Sequence, residues 1–155
     1  MSTKRRGHVR DAGRGAVLLS LRRQGLKATP QRLAIADALL AHGGHPTVTE
    51  IFDEVRMSFP TMSLATVYHT LHTFAESGVV DELPFAEGTR YDPNVTPHVN
   101  LVCQRCGEIT DAHEHRAALM ALRNAVSARS DFTVTTQRMD FYGLCSRCRV
   151  AQGTR

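Results

Sequence analysis

The sequence predicts an α+β chain built in two parts, and three observations carry that reading. Apolar residues recur at helical spacing from residue 17 to residue 74, and two short strand-like runs follow around Gly88. Beyond Pro93 and Pro97 the hydrophobic period changes, and four cysteines enter as two C-x-x-C pairs. The two prolines, with Asn94 between them, disfavour regular structure and place a boundary there. The expected organisation is an arm over 1–13, a first domain over 14–92, a hinge over 93–97 and a second domain over 98–155.

The arm holds Lys4, Arg5, Arg6 and Arg10 with few apolar residues, so it is expected to stay mobile until it meets a partner; His8 within it is read as a solvated histidine. A first helix fits 15–24, with Val17, Leu18 and Leu21 on one face and Gly25 at its end. Thr29 then caps a second helix, with Pro30 at the first helical position, where its missing N–H costs nothing. Leu33, Ile35, Ala36, Leu39 and Leu40 form its buried side, and Gly43-Gly44 ends it. Thr47 opens a third helix, and Glu50, three residues on, completes a capping box. Ser63 caps a fourth that runs to about Ser77, with Leu64, Val67, Leu71 and Phe74 at helical spacing. Residues 79–83 and 89–92 read as two strands, a wing. In the second part, 99–103 and 108–111 read as strands flanking the first cysteine pair. A helix fits 114–129 on Leu119, Leu122 and Val126, and 132–135 and 139–142 look like β-rich sequence.

At 155 residues the chain can bury a core as one domain or two small ones. Net charge is +4, unevenly spread: residues 1–56 carry ten Lys/Arg against five Asp/Glu, residues 57–102 one against five, and residues 103–155 eight against five. A basic front half suits a polyanion, and an acidic middle suits cation binding. No apolar stretch approaches a membrane span, and no apolar run follows Met-Ser-Thr-Lys-Arg-Arg, so no membrane role is expected and the expected compartment is the cytoplasm. In a reducing compartment paired cysteines bind metal more often than they form disulfides.

Cys103, Cys106, Cys145 and Cys148 leave no cysteine over. A C-x-x-C bite spaces two thiolates for one tetrahedral Zn²⁺, and two such pairs complete its shell. A pair of disulfides or a redox C-x-x-C are the alternatives, and neither requires both pairs. A thiol oxidoreductase wants a pair at a helix N-terminus, which lowers one thiol's pKa, and no such helix is expected at the knuckle. A zinc-ribbon interaction module is a further alternative. No Ser/His/Asp or paired-carboxylate constellation calls for a hydrolase. Between the domains, Asp92, His98, Asn100 and Asp111 crowd around the first cysteine pair as further candidate metal ligands.

Helix, turn and a second helix with a polar outer face is the arrangement that fills a DNA major groove. Ala65, Thr66, Tyr68, His69 and His72 point outward on the fourth helix, where small side chains permit close approach and Thr or Ala can touch thymine methyls. Expected DNA contacts are Tyr68 to base or sugar edges, Ser63 and Thr66 to the backbone and thymine methyls, and Lys27 to flanking phosphates or the minor groove.

Gly-Leu-Lys-Ala-Thr-Pro-Gln-Arg (25–32), His-Pro-Thr (45–47), Ser-Leu-Ala-Thr-Val-Tyr-His-Thr-Leu (63–71), Arg-Tyr-Asp (90–92), both cysteine pairs and Tyr-Gly-Leu-Cys (142–145) together resemble the ferric uptake regulator (Fur) superfamily from about residue 17 to residue 148. The resemblance implies a homodimeric, metal-activated repressor with an N-terminal winged helix-turn-helix domain and a C-terminal α/β dimerisation domain. Its partner would be a double-stranded DNA operator, an A/T-rich palindrome. It also implies a structural Zn²⁺ on Cys103, Cys106, Cys145 and Cys148, and a regulatory Fe²⁺ or Mn²⁺ on His45, Asp92, His98, Asn100 and Asp111. No catalytic residues are implied. Asp111, where many iron-uptake regulators carry Glu, points to the peroxide-sensing (PerR) branch. Asn100 departs from the commoner His-x-His; an amide oxygen there makes a harder donor set that suits Mn²⁺ or Fe²⁺ over Zn²⁺. An iron, manganese or zinc uptake regulator is the alternative within the superfamily. The superfamily's other common site lacks its ligands here, with Pro97, Val99 and Gln137 in their places. His113 and His115 are read as surface histidines.

Overall fold

The computed structural model describes residues 3–153, with the side chains of 13–151. Chain contacts divide it into two units, one up to Val95 and one from Thr96.

The first unit opens on helix α1 (Thr3–Arg23), which starts twelve residues before the expected one. The segment read as a mobile arm is therefore helical over most of its length. It contains no proline, and glycine weakens a helix without forbidding it. Gly13 in fact serves the packing, since an added Cβ would stand 2.7 Å from Leu40 Cδ2 of the next helix. The side chain of His8 lies outside the described residues.

Helix α2 (Pro30–His42) starts at Thr29, whose side chain accepts from the Arg32 N–H, and ends at Gly43 in the left-handed region. Helix α3 (Val48–Val55) has the capping box, with Thr47 and Glu50 bonded reciprocally. Helix α4 (Leu64–Glu76) is capped by Ser63. Strands β1 (Asp81–Phe85) and β2 (Gly88–Asp92) pair antiparallel to form the wing.

Val17 and Leu21 of α1, Ile35 and Leu39 of α2, Ile51 and Val55 of α3, and Val67, Leu71 and Phe74 of α4 close one core with Val80 and Tyr91. Of the expected apolar stripe on α4, Val67, Leu71 and Phe74 are buried. Leu64, at the helix start, is exposed, whereas Thr70 is buried.

The second unit is a three-stranded sheet in the order β4-β3-β5. Central β3 (Val99–Cys103) pairs antiparallel with β4 (Ile109–Ala112) and parallel with β5 (Met139–Gly143). Helix α5 (Arg116–Ala128) carries the chain between β4 and β5, and α6 (Ser146–Gly153) follows. Residues 132–135, expected to be β-rich, form no strand; Arg123 Nη2 instead donates to the Val134 carbonyl at 3.1 Å. The buried core here is small: Val99, Ala112 and Leu119, with Met139 packed against them. Leu122 and Val126 of the expected α5 stripe are exposed in the single chain, as is Phe141.

Candidate metal centres

The first pair of cysteines sits on a tight turn after β3. Gly107 adopts φ +70°, a conformation that favours glycine, and its N–H donates to the Cys103 carbonyl at 2.9 Å. The Cys103 N–H donates to the Glu108 carbonyl at 2.9 Å, which closes the knuckle.

The second pair arrives on the other side of β3. The parallel register sets Cys103 opposite Gly143, two residues before Cys145. Cys145 then stands immediately before α6 and Cys148 lies in its first turn. The knuckle carries no helix, as expected, whereas a helix does begin at the second pair. The α6 segment has no apolar stripe to announce it. Contacts to the knuckle secure it: Arg147 Nη2 meets Glu108 Oε2 at 2.7 Å, and Arg105 Nη1 donates to the Cys148 carbonyl at 3.1 Å.

The four sulfurs lie within 4.8 Å of one another, and no disulfide joins them. Cys106 Sγ and Cys145 Sγ are 3.8 Å apart. Tetrahedral bonds of ~2.3 Å to one Zn²⁺ would hold sulfurs about 3.8 Å apart, whereas a disulfide needs about 2.05 Å. The thiols also sit in unequal surroundings. Backbone N–H groups of Cys145 and Cys106 draw the Cys103 thiol down to about 6, the Cys145 N–H approaching its sulfur at 3.3 Å. Burial, with the neighbouring thiols, pushes Cys148 up to about 12. The whole cluster fits a tetrahedral ion.

The remaining candidate ligands fall into two sets, one per unit. In the first, His45 Nε2 and Asp92 Oδ2 stand 3.5 Å apart, both buried. The chain before α3 is stitched to β2 to achieve this. Thr47 bridges Arg90, the Tyr91 N–H donates to the Pro46 carbonyl at 2.9 Å, and Arg90 Nη1 donates to the His45 carbonyl at 3.1 Å. Asp92 Oδ1 accepts from the Asn94 N–H at 2.8 Å, fixing the carboxylate at the end of the strand.

In the second set the sheet does the positioning. Register places Asn100 of β3 directly between Asp111 of β4 and Asp140 of β5. His98 Nδ1 lies 2.7 Å from the Thr96 carbonyl, and an N–H there leaves the Nε2 lone pair for other work. Nε2 faces Asn100 Oδ1 at 3.1 Å and Asp111 Oδ1 at 3.7 Å. Lone-pair atoms converging in this way are reconciled by a proton or a metal cation between them, so the donors fit a cation. His113 Nε2 lies 3.7 Å from Asp111 Oδ2 but its side chain is 63% exposed, and it does not join a close ligand group among the described residues. Sequence reading missed Asp140, which only the parallel register reveals.

The candidate DNA-contacting residues all lie in the first unit. Ser63 Oγ accepts from the Thr66 N–H at 3.1 Å and lies 2.9 Å from Thr66 Oγ1, so both hydroxyls are engaged in starting α4. Tyr68 is exposed, its ring stacked on that of His72 with centroids 6.3 Å apart. Lys27 is exposed in the turn before α2, beside Arg32, Thr66 and His69 in one shallow groove. Among the described residues no helix is long and apolar enough to cross a membrane.

Comparison with known proteins agrees with this architecture. Residues 23–142 match the sequence model of the Ferric uptake regulator family. The chain is 38% identical over 133 residues to the peroxide-responsive repressor PerR of Staphylococcus saprophyticus, covering 85% of this chain and 88% of that protein. It is 36% identical over 133 residues to PerR of Staphylococcus aureus, covering 85% and 88%. Among solved structures it is similar to the peroxide stress regulator of Campylobacter jejuni, with TM-score 0.69 and 34% identity over 84% of this chain and 98% of that one. The Helicobacter pylori ferric uptake regulator, at 21% identity over 90% and 93%, shares the fold with TM-score 0.72.

Proposed function

The chain belongs to the ferric uptake regulator family, and we propose that it is a metal-dependent DNA-binding repressor that responds to peroxide. It is a regulator, not an enzyme. The observation that carries the peroxide reading is the donor set. His45 and Asp92 form a buried pair in one unit, and His98, Asn100 and Asp111 converge in the other. Neither set alone fills the shell of a transition-metal ion. Closed together on one ion they give two nitrogens and three oxygens, a set that favours Fe²⁺ or Mn²⁺ over Zn²⁺.

That closure would fix the first domain against the second and thereby the spacing of two recognition helices in a dimer. A homodimer is supported by apolar side chains left exposed in one chain: Leu122 and Phe141, which line one groove, and Val126 of α5. The operator is then a palindrome whose half-sites each receive one α4, with Tyr68 at base or sugar edges, Ser63 and Thr66 at the backbone and thymine methyls, and Lys27 at flanking phosphates or the minor groove. The four-cysteine cluster holds the structural Zn²⁺, and the repressor acts in the cytoplasm, where its DNA is.

Bound Fe²⁺ supplies the capacity to reduce hydrogen peroxide, which Mn²⁺ lacks. His45 and His98, as the nitrogen ligands that would hold the ion, would be the side chains exposed to that chemistry. Oxidation of either ring would place one peroxide oxygen at a ring carbon in place of hydrogen and release the other as water. An oxidised ring is a poorer donor, and the metal's preference for the DNA-competent state disappears.

Anisotropy of a labelled operator, titrated with Mn²⁺ at fixed zinc-loaded protein, tests the metal dependence. Binding that rises with Mn²⁺ and is abolished in His98→Ala is expected. Equal affinity with and without Mn²⁺ would overturn the proposal.

A further inference from the structure

We infer that Asp140, clamped by Arg138, is a positioning residue that turns the Asn100 amide oxygen toward His98 and Asp111 and so sets the metal preference of the regulatory site. The inference rests on the regulatory-site reading above and deepens it.

Asn100 is buried in the central strand with a carboxylate on either side in register, Asp111 on β4 and Asp140 on β5. Its amide has one donor end and one acceptor end, and either could face either neighbour. The two carboxylates are not equivalent. Arg138 grips Asp140 at both oxygens, with Nη2 to Oδ2 at 2.6 Å and Nε to Oδ1 at 3.0 Å. The Tyr142 hydroxyl adds a third contact at 3.4 Å to Oδ2. An ionised carboxylate so held only accepts, and Asn100 Nδ2 donates to its Oδ1 at 2.9 Å. With the NH₂ fixed there, the amide oxygen is left facing His98 Nε2 at 3.1 Å.

Reversing the amide would set its oxygen against Asp140 and aim the NH₂ at the metal donors, removing a ligand and adding a repulsive one. Where an imidazole occupies such a position, a carboxylate behind it fixes the tautomer. Here the same support fixes which end of an amide is offered. An oxygen at that point is what makes the donor set hard, so the support matters more for Mn²⁺ than for Zn²⁺, which accepts a smaller shell with nitrogen donors.

The test is a double-mutant cycle on full-length, zinc-loaded protein, with Mn²⁺ affinity read from the free-ion electron paramagnetic resonance signal and Zn²⁺ affinity at the same site read by competition. Asp140→Ala should weaken Mn²⁺ about tenfold, within the range typical of residues behind a metal ligand. Zn²⁺ should weaken by less than about threefold, a smaller change because that ion depends less on the oxygen donor. In an Asn100→Ala background, Asp140→Ala should change Mn²⁺ affinity by less than about twofold, because Asp140 acts through Asn100.

Equal losses in both backgrounds, or parallel losses of Mn²⁺ and Zn²⁺, would make Asp140 a general electrostatic or structural residue and overturn the inference. No loss in the parent background would overturn it too. Failure of the parent protein to bind Mn²⁺ at all would instead remove the regulatory-site reading beneath it. If Asp140→Ala loses its structural zinc or its fold, Arg138→Gln repeats the cycle with the carboxylate still present. There a loss of about threefold confined to the Asn100 background supports the clamp, and none refutes it.

Discussion

Replacing Cys145 with serine should produce a folding mutant and not merely a weaker DNA binder. Cys145 Sγ stands 3.8 Å from Cys106 Sγ, its backbone N–H reaches Cys103 Sγ at 3.3 Å, and it opens α6. A serine hydroxyl stays protonated near neutral pH and cannot replace the thiolate, so the closed site becomes an open one. The magnitude follows from what else holds this unit together. Its buried apolar core is Val99, Ala112 and Leu119, with Met139 alongside. Full burial of side chains of the valine or leucine kind contributes about 1.5–3 kcal/mol each, roughly 5 for the whole set. A structural zinc contributes about 10–16 kcal/mol of apparent binding energy in small zinc domains, so it outweighs that burial roughly two- to threefold. Losing most of it leaves the sheet edge, α6 and the apolar face of α5 without their support. Zinc content, light scattering coupled to size exclusion, and urea unfolding are the assays. Expected together are loss of zinc, a shift from dimer to monomer or aggregate, and a lower unfolding midpoint. A zinc-free Cys145→Ser protein that remains a dimer with an unchanged midpoint would refute the reasoning.

Three further outcomes are expected. Tyr68→Ala should lose about 1–3 kcal/mol of operator binding while keeping its non-specific affinity; unchanged operator affinity would show that α4 does not read base edges. Lys27→Ala should weaken binding to all sequences alike and lower the slope of log affinity against log salt by about one, measured by anisotropy at several salt concentrations. Thr47→Ala should cost about 1 kcal/mol of thermal stability at neutral pH, because it removes the hydroxyl that accepts from the Glu50 N–H at 3.3 Å and meets Glu50 Oε2 at 2.9 Å. The bond from the Thr47 backbone N–H, foremost, holds the Glu50 carboxyl below its usual value. Alanine keeps that backbone bond and loses only the hydroxyl's bond to Oε2, which lowers the carboxyl further. The hydroxyl's share of the stabilisation is complete above the ordinary glutamate range and is lost as pH falls through the lowered folded value. The deficit of Thr47→Ala should therefore shrink by that share alone, while the lost cap on the Glu50 N–H remains.

Helices α2, α3 and α4 were legible because their caps are local. Thr29-Pro30, Thr47 with Glu50, and Ser63 each satisfy orphan N–H groups within three residues of sequence, and the core stripe repeats at helical spacing behind them. The cysteine pairs were legible for a similar reason, since each C-x-x-C carries its own spacing. What the sequence hid depends on distant partners. The α6 helix has no apolar periodicity and is secured by Arg147 on Glu108, 39 residues away. Residues 132–135 are rich in β-branched residues but have no strand to pair with, so propensity alone was a poor guide. Asp140 joins Asn100 only because β5 runs parallel to β3 after a helical crossover, a register no local pattern specifies. The arm misled through composition: its charges and glycines read as disorder, whereas α1 continues through them from Thr3.

The central claim is that the regulatory metal decides the response to peroxide. Zinc-loaded protein, supplied with Fe²⁺ or with Mn²⁺, is exposed briefly to hydrogen peroxide, digested and analysed by mass spectrometry while operator binding is followed in parallel. The expected result is one added oxygen on a peptide containing His45 or His98 in the iron sample only, appearing with release of DNA, and an unmodified protein still bound to DNA in the manganese sample. Disulfides among Cys103, Cys106, Cys145 and Cys148 at DNA release, with both histidines unmodified, would contradict it and move the sensor to the zinc cluster.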